Sequence, residues 1–243
     1  MSRQVVGILG GMGPKATVIF MDKIIQKTPA QKDQDHLRML VDNNPLVPDR
    51  TEAILFGGES PVSELQSMAK SLEQMGADFI VMPCNTAHYF SQEIISVINI
   101  PFINMIDITV KYIKEMKSNA KNMTNRVGLL ATTGTIKSQI YHNALSSFGL
   151  ELLTPSPYQE QVMEGIYAVK RGDLSMSAVQ QLEDPIHYLE DQEADILIMG
   201  CTEIPILINK NTKYKNRFNA NLLDPTDILA EATIKRALQI SAL

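Results

Sequence analysis

The chain has 243 residues, 44% hydrophobic and 20% charged, the make-up of a globular protein with a real core. That length fits one large domain or two of about 120 residues each. A net charge of −5 offers no basic footprint for nucleic acid, and no apolar run approaches the length that spans a bilayer, so neither nucleic acid nor membrane is expected as a partner.

The elements alternate. Val5 to Leu9 reads as a short buried strand ending in glycines, and Pro14 suits the first position of a helix to about Lys27. Leu37 opens a strand to Val41, followed by the loop Asp42-Asn43-Asn44-Pro45. A helix from about Pro61 to Met75 stops at Gly76, and Phe79 to Met82 is the next strand. Asn85 or Thr86 caps a helix through Ile98. The second half repeats this order: strand Val127 to Ala131, helix Thr135 to Phe148, a strand near Leu152, helix Gln159 to Lys170, helix Ser177 to Gln192 with a break at Pro185, and strand Ile196 to Met199. Strands alternating with helices predict an α/β fold of parallel sheets flanked by helices.

The two halves are copies. Val6-Gly7-Ile8-Leu9 matches Val127-Gly128-Leu129-Leu130; Ala77-Asp78-Phe79-Ile80-Val81-Met82-Pro83-Cys84 matches Ala194-Asp195-Ile196-Leu197-Ile198-Met199-Gly200-Cys201; and Phe102 to Asp107 matches Leu222 to Asp227. All three pairs lie about 120 residues apart in the same order, which marks a duplicated domain. Two pseudo-twofold-related domains are expected, with the active site in the cleft between them. The first takes residues 1–104 plus about 211–243, because the third repeated element crosses between halves; the second takes about 105–210.

Each copy ends its sentence on a cysteine, and Cys84 and Cys201 are the chain's two. Val5 to Met12 is too short and glycine-rich for a signal-peptide core, and a cytoplasmic location is expected, where thiols persist in preference to a disulfide. In parallel sheets ligands bind beyond the carboxyl ends of the strands, where both cysteines fall. A helix start just after such a cysteine stabilises thiolate and offers N–H groups, here from Asn85, Thr86 and Thr202, to a carboxylate. Packing alone also explains a buried cysteine, since it is a small hydrophobe.

Gly10-Gly11-Met12-Gly13-Pro14, Asp42-Asn43-Asn44-Pro45 followed by Pro48-Asp49-Arg50-Thr51, Pro83-Cys84-Asn85-Thr86-Ala87-His88 and Gly200-Cys201-Thr202-Glu203-Ile204-Pro205 resemble, in order and over essentially the whole chain, the aspartate/glutamate racemase family, in its aspartate racemase branch. Glutamate racemases typically begin with Asp-Ser-Gly and carry Cys-Thr-His in the second half, and this chain has neither. The resemblance implies an isomerase that racemises aspartate with no cofactor, pyridoxal phosphate included; His36, His88, His142 and His187 show no close pairing and two distant cysteines make no zinc motif, so no metal is expected either. Cys84 and Cys201 would be the catalytic pair, one taking the Cα proton and the other returning a proton to the opposite face. It further implies a dicarboxylate amino-acid substrate, a homodimer, and substrate contacts from Met12, Arg50, Asn85, Thr86, Ala87, Thr133, Lys170, Thr202 and Glu203.

Several of these residues have a plainer alternative. Arg50 in its Pro-rich loop and Lys170 near a helix end also read as solvated charges, and Arg171 competes with Lys170. Glu203 either accepts the substrate ammonium or favours its helix N-terminus. His88, one turn beyond Cys84, reads better as a packed or supporting histidine than as a catalytic one. Thr132, Thr133 and Thr135 either bind a carboxylate or satisfy the turn. Gly11-Met12-Gly13-Pro14-Lys15-Ala16 fits a relaxed dinucleotide pattern, but Asp42 lies too far on for the acidic ribose partner. The remaining rivals are a broad-specificity racemase or maleate isomerase-like enzyme of the same superfamily, and a non-catalytic amino-acid binding protein.

Overall fold

The computed structural model describes residues 3–119, 123–210 and 217–239. In chain order the elements are β1 (Val6–Gly10), α1 (Pro14–Lys27), β2 (Met39–Asn43), α2 (Arg50–Phe56), α3 (Val62–Gln74), β3 (Phe79–Val81), a 3-10 helix (Thr86–Phe90), α4 (Ser91–Ile95), β4 (Phe102–Ile103) and α5 (Met105–Asn119). There follow β5 (Arg126–Leu130), α6 (Thr133–Lys137), α7 (Ile140–Ser146), β6 (Glu151–Leu153), α8 (Gln159–Lys170), α9 (Met176–Gln180), α10 (Glu183–Asp191), β7 (Ile196–Met199), α11 (Glu203–Lys210), β8 (Asn221–Leu223) and α12 (Pro225–Ala237). The chain forms two units, Met1–Thr109 with Thr226–Leu243, and Val110–Pro225.

The first unit holds a parallel sheet in the order β2-β1-β3-β4. Its central strands β1 and β3 are buried on both faces, the edge strands β2 and β4 only in part, so residue parity decides which helices each central side chain meets. Val6, Ile8, Phe79 and Val81 point to one face, with Phe20 and Ile24 of α1 and Leu229, Ala230 and Ile234 of α12. Leu9, Ile80 and Met82 point to the other, with Leu65, Met68, Ala69 and Leu72 of α3. Gly7 lets α3 and the turn after it close onto β1, since a Cβ there would lie 3.3 Å from the Leu72 Cβ of α3 and 3.0 Å from the Ala77 methyl. The C-terminal helix therefore belongs to this core, and Lys23 ties α1 to it through Thr226 at 2.6 Å and Asp227 at 3.2 Å.

The second unit repeats the plan as β6-β5-β7-β8, again all parallel. Leu130, Leu197 and Met199 face a core built from α8, α9, α10 and α11. In both sheets the chain leaves the second strand in sequence, crosses over the first and returns on its far side. The switch point in strand order thus falls between β1 and β3, and between β5 and β7.

The structure departs from the sequence expectations in definite places. The return to the first unit, expected at about residue 211, which lies outside the described residues, comes at Thr226: β8 pairs with β7, so the second unit keeps the chain until that strand is laid down. The first segment likewise runs to Thr109, not 104. The helix expected from Asn85 or Thr86 through Ile98 is a 3-10 helix followed by a five-residue α-helix. The helix expected over Thr135 to Phe148 is broken at Gln139, whose φ of 58° is left-handed. The break expected at Pro185 lies earlier, between α9 and α10, and Pro185 sits in the first turn of α10, where its missing N–H is harmless. The segment read as a Pro-rich loop contains α2, capped by Asp49, whose carboxylate accepts from the N–H groups of Thr51 and Glu52.

Candidate active site

Cys84 and Cys201 occupy the same place in the two units. Ile80, Met82 and Cys84 alternate onto the α3 face beyond β3, and Leu197, Met199 and Cys201 onto the α8–α11 face beyond β7. Each cysteine packs at the top of its core, 6% and 7% exposed, and neither is in a disulfide. Each lies on one side of a switch point, with the loop after β1 or β5 on the other.

In the first unit that opposite loop is Gly10-Gly11-Met12-Gly13. Gly11 has φ +95°, and a Cβ on it would come within 2.1 Å of the Asn44 carbonyl oxygen. The loop is therefore glycine because it lies against the end of β2, which accounts for the dinucleotide-like pattern without a nucleotide. Its shape is held by the Thr17 hydroxyl, which accepts from the Gly11 N–H at 2.9 Å. Met12 joins the same core cluster as Cys84 and Ala87. Ala87 is wholly buried, so its methyl is a core contact. Asn85 and Thr86 are also buried.

Arg50 opens α2 and folds back on its own loop, one Nη donating to the carbonyls of Val47 at 3.1 Å and Pro48 at 3.0 Å. Its Nε is buried with no hydrogen-bond partner. A buried, unanswered guanidinium donor is costly enough to mark a place prepared for an acceptor. At the end of β2, burial and the neighbouring Glu64 push the Asp42 carboxyl above its usual range.

His88 is fully defined. The Met105 N–H at the start of α5 donates to Nε2 at 3.0 Å, so Nε2 carries no proton; Nδ1 does, and donates to the Cys84 carbonyl at 2.8 Å. Burial lowers the imidazole to about 4 against an ordinary 6.5, outweighing the opposing bond to the Cys84 carbonyl.

In the second unit Cys201 meets an acid. Its Sγ donates to Glu203 Oε2 at 3.0 Å, and the Thr202 hydroxyl donates to the same oxygen at 3.0 Å. Burial first, then the Glu203 charge and hydrogen bond, push the Cys201 thiol well above its ordinary range, against a smaller opposing pull from Lys170. This overturns the expected lowering by a helix start: α11 does begin beside Cys201 and its first N–H lowers the thiol, but burial, and after it the Glu203 carboxylate, outweigh that N–H. At Cys84 the helix expected to do the same is only a 3-10 turn, with little dipole to offer.

The loop opposite Cys201 is built from threonines. Thr132 caps α6, its hydroxyl accepting from the Thr135 N–H at 3.1 Å, so these two satisfy the turn. Thr133 is met by Gln159, whose amide nitrogen donates to the Ala131 carbonyl at 3.0 Å and to the Thr133 hydroxyl at 3.3 Å. The Ala131 carbonyl fixes the amide's orientation, and leaves Gln159 Oε1 buried without a partner. Gln159 was not singled out in the sequence; its place as first residue of α8, at the carboxyl end of β6, was the available signal. Lys170 ends α8 with Nζ 5.5 Å from the Tyr167 ring and its charge felt at Cys201, whereas Arg171 is engaged by Glu164 at 2.5 Å.

Residues 9–233 match the family model described as Asp/Glu/Hydantoin racemase. The chain belongs to that family. It is therefore a racemase, an isomerase, and the resemblance read from its motifs holds. Among relatives, the broad specificity amino-acid racemase RacX of Bacillus subtilis (strain 168) is 30% identical over 96% of this chain and 98% of its own. Among solved structures, the Picrophilus torridus aspartate racemase is 38% identical with a TM-score of 0.83, covering 96% of this chain and 94% of that one. An aspartate racemase homologue from Pyrococcus horikoshii OT3, 22% identical with a TM-score of 0.75 over 97% of this chain and 99% of that one, shares the fold. No helix among the described residues of this racemase is long and apolar enough to cross a membrane.

Proposed function

We propose that this racemase interconverts L- and D-aspartate with Cys84 and Cys201 as its two acid–base groups and without pyridoxal phosphate. The observation that carries the reading is the equivalence of the two thiols, each placed beyond the same strand of a sheet with the same order, at that sheet's switch point. Racemisation needs one group to accept the Cα proton and another to donate one from the opposite face, and two like groups serve both directions. Cys201, held as a thiol by burial and by Glu203, is the donor when Cys84 is the base; in the reverse direction the roles exchange.

The substrate groups have matching partners. The Arg50 guanidinium, with its buried Nε donor unanswered, suits a carboxylate, as does the Lys170 ammonium. Asn85, Thr86, Thr133 and Thr202 offer hydroxyl, amide and backbone donors to a second carboxylate at the strand ends. The Glu203 carboxylate and Gln159 Oε1 are acceptors for the ammonium. An ammonium on Glu203 neutralises the charge that raises the Cys201 thiol, so binding of substrate eases thiolate formation at the moment it is needed. The likeness to an aspartate racemase across nearly the whole chain supports aspartate, and RacX supports the second reading, a broad-specificity amino-acid racemase. A soluble, cytoplasmic homodimer is part of the proposal.

L-Aspartate incubated with pyridoxal-free protein in deuterated water should lose its α-proton signal as D-aspartate appears on chiral analysis. Exchange with no D-aspartate contradicts the two-base scheme, and neither event removes aspartate as substrate; the same assay on a panel of amino acids separates the second reading. Cys84→Ser and Cys201→Ser should each abolish racemisation, and normal activity in either excludes the symmetric mechanism.

A further inference from the structure

Beyond the two cysteines, we infer that His88 is a positioning residue for Cys84: its neutral imidazole clamps the Cys84 carbonyl to the N-terminus of α5 and thereby aims the thiol. The inference rests on the reading of Cys84 as an acid–base group. Both peptide groups flanking Cys84 are held. Its N–H donates to the Met82 carbonyl at 2.9 Å, and its carbonyl accepts from His88 Nδ1 at 2.8 Å. With both sides pinned, φ and ψ of Cys84 are set, and the Cα–Cβ bond that directs Sγ is set with them. A carbon acid demands this, because proton transfer to sulfur falls off steeply with misplacement of the two atoms.

His88 can hold the carbonyl only if it is itself held in one tautomer. The Met105 N–H supplies that control: it is one of the donors a helix N-terminus leaves without an intrahelical partner, and it donates to the Nε2 lone pair at 3.0 Å. A helix N-terminus disfavours imidazolium, as does complete burial. The Phe102 ring of β4, 5.7 Å from the imidazole centroid, adds packing against its side. A histidine retained only to fill space would need neither hydrogen bond. Here one ring links the strand-end cysteine to the next helix and uses both nitrogens.

The two bonds can be separated by substitution. In His88→Asn the amide nitrogen falls near the place of Nδ1 and keeps a donor for the Cys84 carbonyl; in His88→Gln the amide oxygen reaches the place of Nε2 and keeps an acceptor for Met105. With aspartate as substrate, His88→Gln should lose about tenfold or more in kcat with KM nearly unchanged, while His88→Asn stays within about threefold of wild type. Equal losses in both variants, or none in either, would overturn the inference, because a packing role does not distinguish which bond survives. In a Cys201→Ser background, iodoacetamide should modify Cys84 faster in His88→Gln than in His88→Asn, and equal rates count against the clamp. Alkylation needs no turnover, so a protein that failed to racemise aspartate would refute the proposed function and leave this comparison intact. Long-range nitrogen–proton NMR couplings on the unaltered protein must report the Nδ1–H tautomer; an Nε2–H form refutes the clamp whether or not the variants fold.

Discussion

Lowering the pH from neutral to about 4 probes the buried imidazole of His88 directly. In the unfolded chain this histidine takes up its proton near 6.5, whereas in the folded unit it does so only near 4, chiefly because burial disfavours the charge. The sign follows from proton uptake: between those values the unfolded state binds the proton and the folded state does not, so acid favours unfolding. Stability associated with His88 is fully present above 6.5, declines as the pH falls, and levels off below about 4 once both states are protonated. A drop from 6.5 to about 4, at about 1.4 kcal/mol per pH unit, makes that loss about 3 kcal/mol. The measurement is urea unfolding of the wild type and of His88→Gln at a series of pH values, each read with the same probe. The difference in stability between the two should shrink, or swing in favour of the variant, by about 3 kcal/mol from neutral pH to about 4, since glutamine does not titrate. Parallel curves for the two proteins across that range would mean that folding does not keep the proton off His88.

Glu203→Gln removes the charge that raises the Cys201 thiol, so in a Cys84→Ser background alkylation of Cys201 should move to lower pH and run several-fold faster near neutrality; an unchanged profile would mean that burial alone sets that thiol. Gly11→Ala must place a methyl within 2.1 Å of the Asn44 carbonyl oxygen at φ +95°, and is expected to destabilise the protein by more than about 2 kcal/mol by thermal or urea unfolding. Gly76→Ala is the control: φ is +96° but nothing lies within 4 Å, so the loss should be about 1 kcal/mol, the left-handed backbone alone. Similar losses at the two glycines would show that the close approach to Asn44 is not what selects glycine in the loop.

Much of the architecture is legible along the chain because duplication and strand parity are local patterns. The pairs at Val6 and Val127 and at Ala77 and Ala194 name equivalent strands, and parity within Ile80-Met82-Cys84 and Leu197-Met199-Cys201 already puts each cysteine on one face of its sheet. Elements whose formation depends on distant partners leave little local signal. β8 is three residues long and exists by pairing with β7, so the chain crosses back only at Thr226. α2 hides in a Pro-rich segment because its signal is one capping residue, Asp49. Gln139 breaks the expected helix through a left-handed backbone that nothing in its neighbours demands.

A duplicated α/β chain with one thiol at each of two matching strand ends is written in the order of the residues, and the motifs carry the family. What each thiol lies beside comes from packing. It buried Cys201 and set Glu203 on it, and the two together reversed the expected effect of a helix start. It turned Arg50 back on its own loop with a buried donor left over, and it used both nitrogens of His88 to tie Cys84 to α5. The reason is physical. Periodicity follows from bonds along the chain, while a proton's affinity follows from burial and from charges that only packing brings within a few ångströms.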